Sequence, residues 1–322
     1  MLSVLILETA AGQPPAAPRL PPAFAPLLYV EPAHQALQPH GRPTLAFFLE
    51  DEVAGQTLAQ LYVVPDYPEP GRARSPGQAT FGGVQLAAGL PVAALHPLLD
   101  AAEATLRQRG QRTLEMRGYA FCYDPPGAAT LAEALRQRGY RVALAEQSYY
   151  LDTVRPYEAH LHRSERKRLR KCRRLGLVLE QEPPLLLPAA YDFIAACRHE
   201  RGQPLSLSLA RVEALFRAFP RRHFLFSVRQ PGGEWLALTL AIQVSERVLH
   251  NFYHASPLSA NELSPVVLLN EGLHGFARAS GLPVVDLGVS TLAGHQPHTS
   301  LLNFKQRLGC VASLRLTWQR AL

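Results

Sequence analysis

The chain is poor in cysteine and places none of its thiols for metal or redox chemistry. The four cysteines, at positions 122, 172, 197 and 310, include no C-x-x-C pair and have no histidine at zinc-finger spacing. That excludes a zinc ribbon, a dithiol redox motif and a disulfide framework, so the four read as reduced thiols. No run reaches the roughly 18 to 20 apolar residues that a membrane-spanning helix needs. The opening MLSVLILETA has neither a basic region before its apolar residues nor a small-residue cleavage site after them. The expectation is therefore a soluble, cytoplasmic chain with no membrane span and no metal. Disorder is excluded as well, because 47% hydrophobic against 18% charged residues is the balance of a packed protein. Prolines outnumber glycines, 28 to 22, which points to many rigid connections.

At 322 residues the chain suits two domains of about 150 residues each. Its formal charge of +7 is concentrated in one place. Residues 163–174, RSERKRLRKCRR, hold eight Lys or Arg and one Glu, which leaves 25 basic and 25 acidic residues in the rest. The positive charge thus acts from one segment and not from a generally basic surface.

Apolar periodicity predicts strands over 4–7, 44–50 and 57–64, with 51–55 as a hairpin turn and 65–77 as a Pro/Gly-rich loop. A helix is expected from residue 91 to just before Gly110, with Leu95, Leu98, Leu99, Ala102 and Leu106 on one face. A strand over 113–117, a helix over 128–138 and a strand over 142–151 complete the first half. The second half opens with a basic helix over 157–175, with Leu161, Leu169, Cys172 and Leu175 near one face, and helical segments at 191–200 and 209–219. Strands at 223–229, 235–244 and 247–254 lead into a helix over 264–280, a strand over 284–287, a helix over 300–308 and a strand over 311–318. The repeated order of meander, helix, strand, helix and strand implies a duplicated α/β (α+β) architecture, mixed and mostly antiparallel, with domains at 1–152 and 153–322.

Four features carry a family resemblance: Ser264-Pro265 at a helix start, Val285-Asp286-Leu287-Gly288, the F-K-x-x-L-G element from Phe304 to Gly309, and the basic HRSERKRLRK helix. With Phe81-Gly82-Gly83 in the first half, they make the chain resemble the Fem-type peptidoglycan aminoacyltransferases and related acetyltransferase-like proteins, which are tandem GNAT-fold proteins. The resemblance implies two GNAT-like domains and transfer of an acyl group, from a thioester or a charged tRNA, to a primary amine on a small molecule or cell-wall precursor. It also implies acyl-CoA or aminoacyl-tRNA as the donor. The sequence departs from the pattern at the loop that cradles a coenzyme A pyrophosphate: residues 255–264 contain no glycine, and 79–89 lacks the spacing. Coenzyme A is therefore one option among donors.

Acyl transfer to an amine needs a donor for the oxyanion, a base and a proton for the leaving group. Lys305 matches the family's position for the first, as a cation beside Phe304; its alternative is a solvated lysine beside a core anchor. The base candidates are His254, His274, Glu262, Glu271 and Asp286. Tyr253 is a candidate for protonating the leaving group, and Ser290 for binding substrate. Arg166, Lys167, Arg170 and Lys171 of the basic helix are candidates for holding substrate phosphates, against a solvated amphipathic helix. His295 and His298 read as loop histidines. The rival function is a non-catalytic protein that binds a polyanion, RNA or a nucleotide, on a degenerate transferase fold.

Overall fold

A computed structural model describes all residues except 39–40, 292–295 and 297. In chain order its elements are β1 Leu2–Thr9, α1 Pro32–Gln35, β2 Thr44–Asp51, β3 Gln56–Val63, β4 Arg72–Ser75, β5 Gln85–Leu86, α2 Val92–Gln108, β6 Thr113–Ala120, α3 Pro125–Gln137 and β7 Arg141–Asp152. These are followed by α4 Tyr157–His160, α5 Arg163–Arg174, β8 Val178–Glu182, α6 Leu187–His199, α7 Leu209–Ala218, β9 His223–Arg229, β10 Trp235–Gln243, β11 Val248–Ala255, α8 Pro265–Ala279, β12 Val284–Val289, α9 Thr299–Arg307 and β13 Val311–Ala321.

The elements form two compact units, Met1–Glu146 with Leu314–Leu322, and Gln147–Ser313. In the first, β1, β2, β3 and β5 pair antiparallel, while β6 lies between β4, parallel to it, and β13, antiparallel. Leu95, Leu98, Leu99, Ala102 and Leu106 of α2 are all buried in its core with Leu45, Phe47 and Leu61 of the sheet, as the helical spacing predicted. In the second unit, β8, β9, β10 and β11 form an antiparallel run, β12 joins β11 in parallel, and residues 148–152 of β7 close the other side of β12. Helix α8 packs Val267, Leu269, Leu273 and Ala277 onto this sheet. An antiparallel run of four strands followed by a helix, a strand, a helix and a strand thus occurs twice, with a parallel strand pair in each unit. The first run has β4 added within it, and the second has α6 and α7 inserted after β8. The order differs at the end: β7 serves β12, and β13 serves β6.

Sequence periodicity missed three strands. The Pro/Gly-rich loop contains β4 and is followed by β5 of two residues, and β8 has a mostly polar sequence, VLEQE. The expected single helix over 157–175 is two helices, broken at Leu161, where the backbone is extended. His162 caps the second helix by accepting from Ser164 N, and Leu175 is 40% exposed and does not join the buried face. Gly110, Gly139, Gly176, Gly281 and Gly309 stop α2, α3, α5, α8 and α9 just past their last turns.

Candidate functional site

The parallel pairing of β11 with β12 is short. Val248, Leu249 and His250 face Val284, Val285 and Asp286, yet β11 continues to Ala255 and β12 to Val289. The strands therefore separate at their carboxyl ends, where α/β sheets commonly bind ligands. An irregularity at Leu240/Ala241 bulges β11 at the same level.

Beyond the separation, Asp286 builds a turn. Its buried carboxylate accepts from Gly288 N at 2.7 Å and from Ser148 Oγ at 3.1 Å, and His250 Nε2 lies 4.0 Å from its other oxygen. Gly288 has φ 69°, a conformation that favours glycine, so Val-Asp-Leu-Gly turns the Gly288 and Val289 carbonyls away from the strand ladder. Lys305 takes both: its Nζ donates to Gly288 O at 2.8 Å and to Val289 O at 3.0 Å. Lys305 lies in the last turn of α9 and is 2% exposed, with its ammonium 5.7 Å from the Tyr149 ring centroid. It is not a solvated lysine. Burial pushes its pKa from 10.5 down to about 8, against the opposing pull of Asp286. Phe304 packs partly buried against the core of the unit.

Two polar atoms at this place are enclosed without a hydrogen-bond partner among the described residues, His254 Nδ1 and Ser290 Oγ. His254, on the part of β11 that pairs with β10 but no longer with β12, is held neutral, because burial and then the Lys305 charge lower its pKa to about 4. Ser290 follows the carbonyl that Lys305 holds. A bound ligand or water can supply the bonds that such enclosed polar atoms lack.

The other candidates lie differently. The Tyr253 phenol oxygen accepts from the backbone N of Ser206 and of Leu207, both at 3.0 Å, and Arg198 covers its ring. It anchors the loop before α7. His274 bonds the Asp152 carbonyl at 3.1 Å and packs on Tyr157 and His160, while Glu271 pairs with Arg173. Glu262 is exposed. His298 caps α9 through Nδ1, and His295 lies outside the described residues. Among the described residues no group of three His, Cys, Asp or Glu is placed to hold a metal. No helix among them is long and apolar enough to cross a membrane.

Helix α5 separates its cations into two sets. Arg168 pairs with Glu165, Arg173 with Glu158 and Glu271, Arg166 bonds Leu161 O, and Lys171 bonds Glu262 O. Cys172 bonds Leu263 O, so two α5 side chains hold the loop that precedes α8. That loop begins α8 with Pro265, which has no N–H, and it contains no glycine. The residues present do not form the amide cradle that a pyrophosphate takes at a helix N-terminus. The other four cations, Arg163, Lys167, Arg170 and Arg174, are exposed and have no partner among the described residues. Their spacing of four, three and four residues aligns them on one face of the helix over about 16 Å.

In the first unit, the space beyond the β4/β6 pair is apolar. Phe81-Gly82-Gly83 enters it, with Gly82 N on Arg117 O at 2.8 Å and Gly83 N on Ser75 Oγ at 2.9 Å. What remains is a cavity of about 20 Å³, lined by Gly83, Met116, Gly118, Leu131 and Trp318 among others.

Comparison with known proteins places this geometry in a fold. No family model matches the sequence, and no curated protein matches it significantly. Solved structures do match. The crystal structure of FemX is similar at 12% identity, covering 86% of this chain and 87% of that one, with a TM-score of 0.67. L-PGS from Bacillus licheniformis is similar at 12% identity, covering 92% and 88%, with a TM-score of 0.58. A tandem GNAT protein from the clavulanic acid biosynthesis pathway is similar at 14% identity, covering 99% and 98%, with a TM-score of 0.50. At these identities the likeness is one of fold, and the chain has the tandem GNAT fold that its F-K-x-x-L-G and V-D-L-G segments led us to expect.

Proposed function

We propose that the chain transfers an acyl or aminoacyl group, from a thioester or a charged tRNA, to a primary amine of a small molecule or cell-wall precursor. The reaction proceeds by direct attack where β11 and β12 separate. The observation that carries this reading is the buried Lys305 ammonium, held by two carbonyls and with its third N–H unused among the described residues, beside the atoms of His254 and Ser290 that have no partner among them. In this reading the amine nitrogen forms a bond to the acyl carbon and the carbonyl oxygen becomes an oxyanion, which the third N–H of Lys305 stabilises. His254, neutral at physiological pH, takes the proton lost by the nitrogen. Collapse breaks the bond to the oxygen or sulfur of the leaving group, to which His254 returns the proton. Asp286 positions the turn that aims Lys305, and Ser290 Oγ bonds the bound substrate. The tandem GNAT-like repeats at 1–152 and 153–322 belong to this reading.

A ligand that binds only the native state raises its melting temperature, by about 2.7 kcal/mol of stability at one hundred times its dissociation constant. The full chain is tested by thermal shift with acetyl-CoA, free coenzyme A and a UDP-linked muropeptide. A rise of several degrees with at least one of them is expected, and a rise with free coenzyme A selects thioester chemistry. No shift with any of the three sinks the reading.

The stripe on α5 supports a second reading, a polyanion-binding surface. If Arg163, Lys167, Arg170 and Arg174 each contact one RNA phosphate, log affinity falls with log salt at a slope of roughly −3 to −4. Changing any one of them to Gln reduces that slope by about one. A slope unaffected by all four substitutions removes this role from the helix.

A further inference from the structure

One sheet face in the first unit carries more arginine than the carboxylates facing it can neutralise. Glu146 is 3% exposed, and its Oε2 alone accepts from Arg315 Nε at 3.1 Å, from Arg315 Nη2 at 2.8 Å and from Arg117 Nη2 at 3.3 Å. Beside them, Glu115 is shared by Arg72 at 3.4 Å and Arg74 at 3.0 Å. Glu69 also pairs with Arg72 and is 60% exposed. In these ion pairs among the described residues, four guanidiniums share three carboxylates, one of them in solvent.

The surplus falls on Arg117. It projects from β6 opposite Thr317 of β13, with only 26% of its side chain exposed. Its Nε is enclosed and has no hydrogen-bond partner among the described residues. Burial, and then repulsion from Arg315, lowers its pKa. A guanidinium half out of water, sharing one carboxylate oxygen with a second guanidinium, is incompletely compensated. Its planar fork with an unused N–H is suited to the oxygens of a phosphate or carboxylate.

We propose that Arg117 and Arg315 form an oxyanion-binding site for a phosphate or carboxylate group of a ligand. The site is independent of the transfer reading: it is built from β6, β7 and β13, it uses none of the residues around Lys305, and its test requires no acyl donor. Glu146 holds the two guanidiniums side by side, and the ligand supplies the second negative charge.

The test is calorimetric titration of the full chain with sodium pyrophosphate and, separately, with sodium succinate at fixed ionic strength. Saturable binding of at least one is expected, and which one binds tells phosphate from carboxylate. Arg117→Gln is expected to weaken that binding at least tenfold. Without ligand it should leave the melting temperature unchanged or raise it, because a poorly compensated buried charge is removed while Glu146 keeps Arg315. Arg136→Gln, a change to an exposed cation of the same unit, should leave binding intact. The proposal is overturned if neither anion binds saturably, if Arg117→Gln binds as the parent does, or if Arg136→Gln loses binding equally. It is also overturned if Arg117→Gln lowers the melting temperature without weakening binding, since that is the signature of a purely structural arginine.

Discussion

Replacing Lys305 with Ala is expected to lower turnover roughly a hundred- to a thousandfold, the usual cost of removing one oxyanion donor, with the loss in kcat and little change in the donor's KM. The pH dependence sharpens this. The ammonium form is the active one, and with its pKa at about 8 the activity should fall as pH rises through that value. Lys305→Arg, charged throughout, should lack this alkaline limb even at a reduced rate. Stability runs the other way. In the unfolded chain the lysine has its ordinary value of 10.5 and in the folded chain about 8. Between these values the unfolded state binds more protons, so this group's contribution to stability rises with pH over that window, by up to about 3 kcal/mol. Lys305→Met should show no such rise. Turnover unchanged in Lys305→Ala would remove the lysine from the chemistry and leave it as a clamp on the Gly288 turn.

Gly309→Ala is the second large effect, and it acts on folding. Gly309 has φ 75°, and its N–H bonds Gln306 O while Cys310 N bonds Lys305 O, the paired cap that ends a helix in a left-handed residue. A Cβ there would stand 2.1 Å from His160 O and 2.7 Å from its carbonyl carbon, both backbone atoms that cannot swing aside. The substitution is expected to destabilise the second unit by at least about 3 kcal/mol, read from urea unfolding. Gly281→Ala provides the control. Gly281 caps α8 with φ 71° in the same way, but nothing lies within 4 Å of its added Cβ, so only the left-handed backbone term of about 1 to 2 kcal/mol applies. Equal effects at the two glycines would mean that the approach of His160 costs nothing.

The same two residues show what the sequence could and could not convey. The glycine of F-K-Q-R-L-G is legible as a helix stop, because a left-handed cap follows from local chemistry. That His160 presses on it is not, since it depends on the chain returning from 150 residues earlier. Lys305 is harder still. On an amphipathic helix a lone lysine reads as solvated, and its burial is created by the Asp286 turn and by Tyr149. For α5 the composition announced the charge, but only the pairing of Arg166, Arg168, Lys171 and Arg173 separates the exposed row from the rest. The missed strands have two causes: β4 and β5 are too short to display a period, and β8 is polar, with Glu180 and Gln181 exposed and the buried Glu182 satisfied by Arg229, Ser227 and Trp235. No motif pointed to Arg117, Arg315 and Glu146, which strand pairing brings together from distant parts of the chain.

The placement of the last strand has a consequence for biosynthesis. Residues 314–322 complete the unit formed by 1–146, whereas the other unit, 147–313, is one uninterrupted stretch. On the ribosome the N-terminal portion emerges first but must wait for about 170 further residues before β13 can cover the edge of β6, roughly 10 to 30 s at ordinary elongation rates. During that interval β6 keeps an open edge of the kind that recruits other chains. Deleting residues 314–322 should therefore harm the unit whose other strands are made earlier, and a chaperone should be needed most before β13 has emerged.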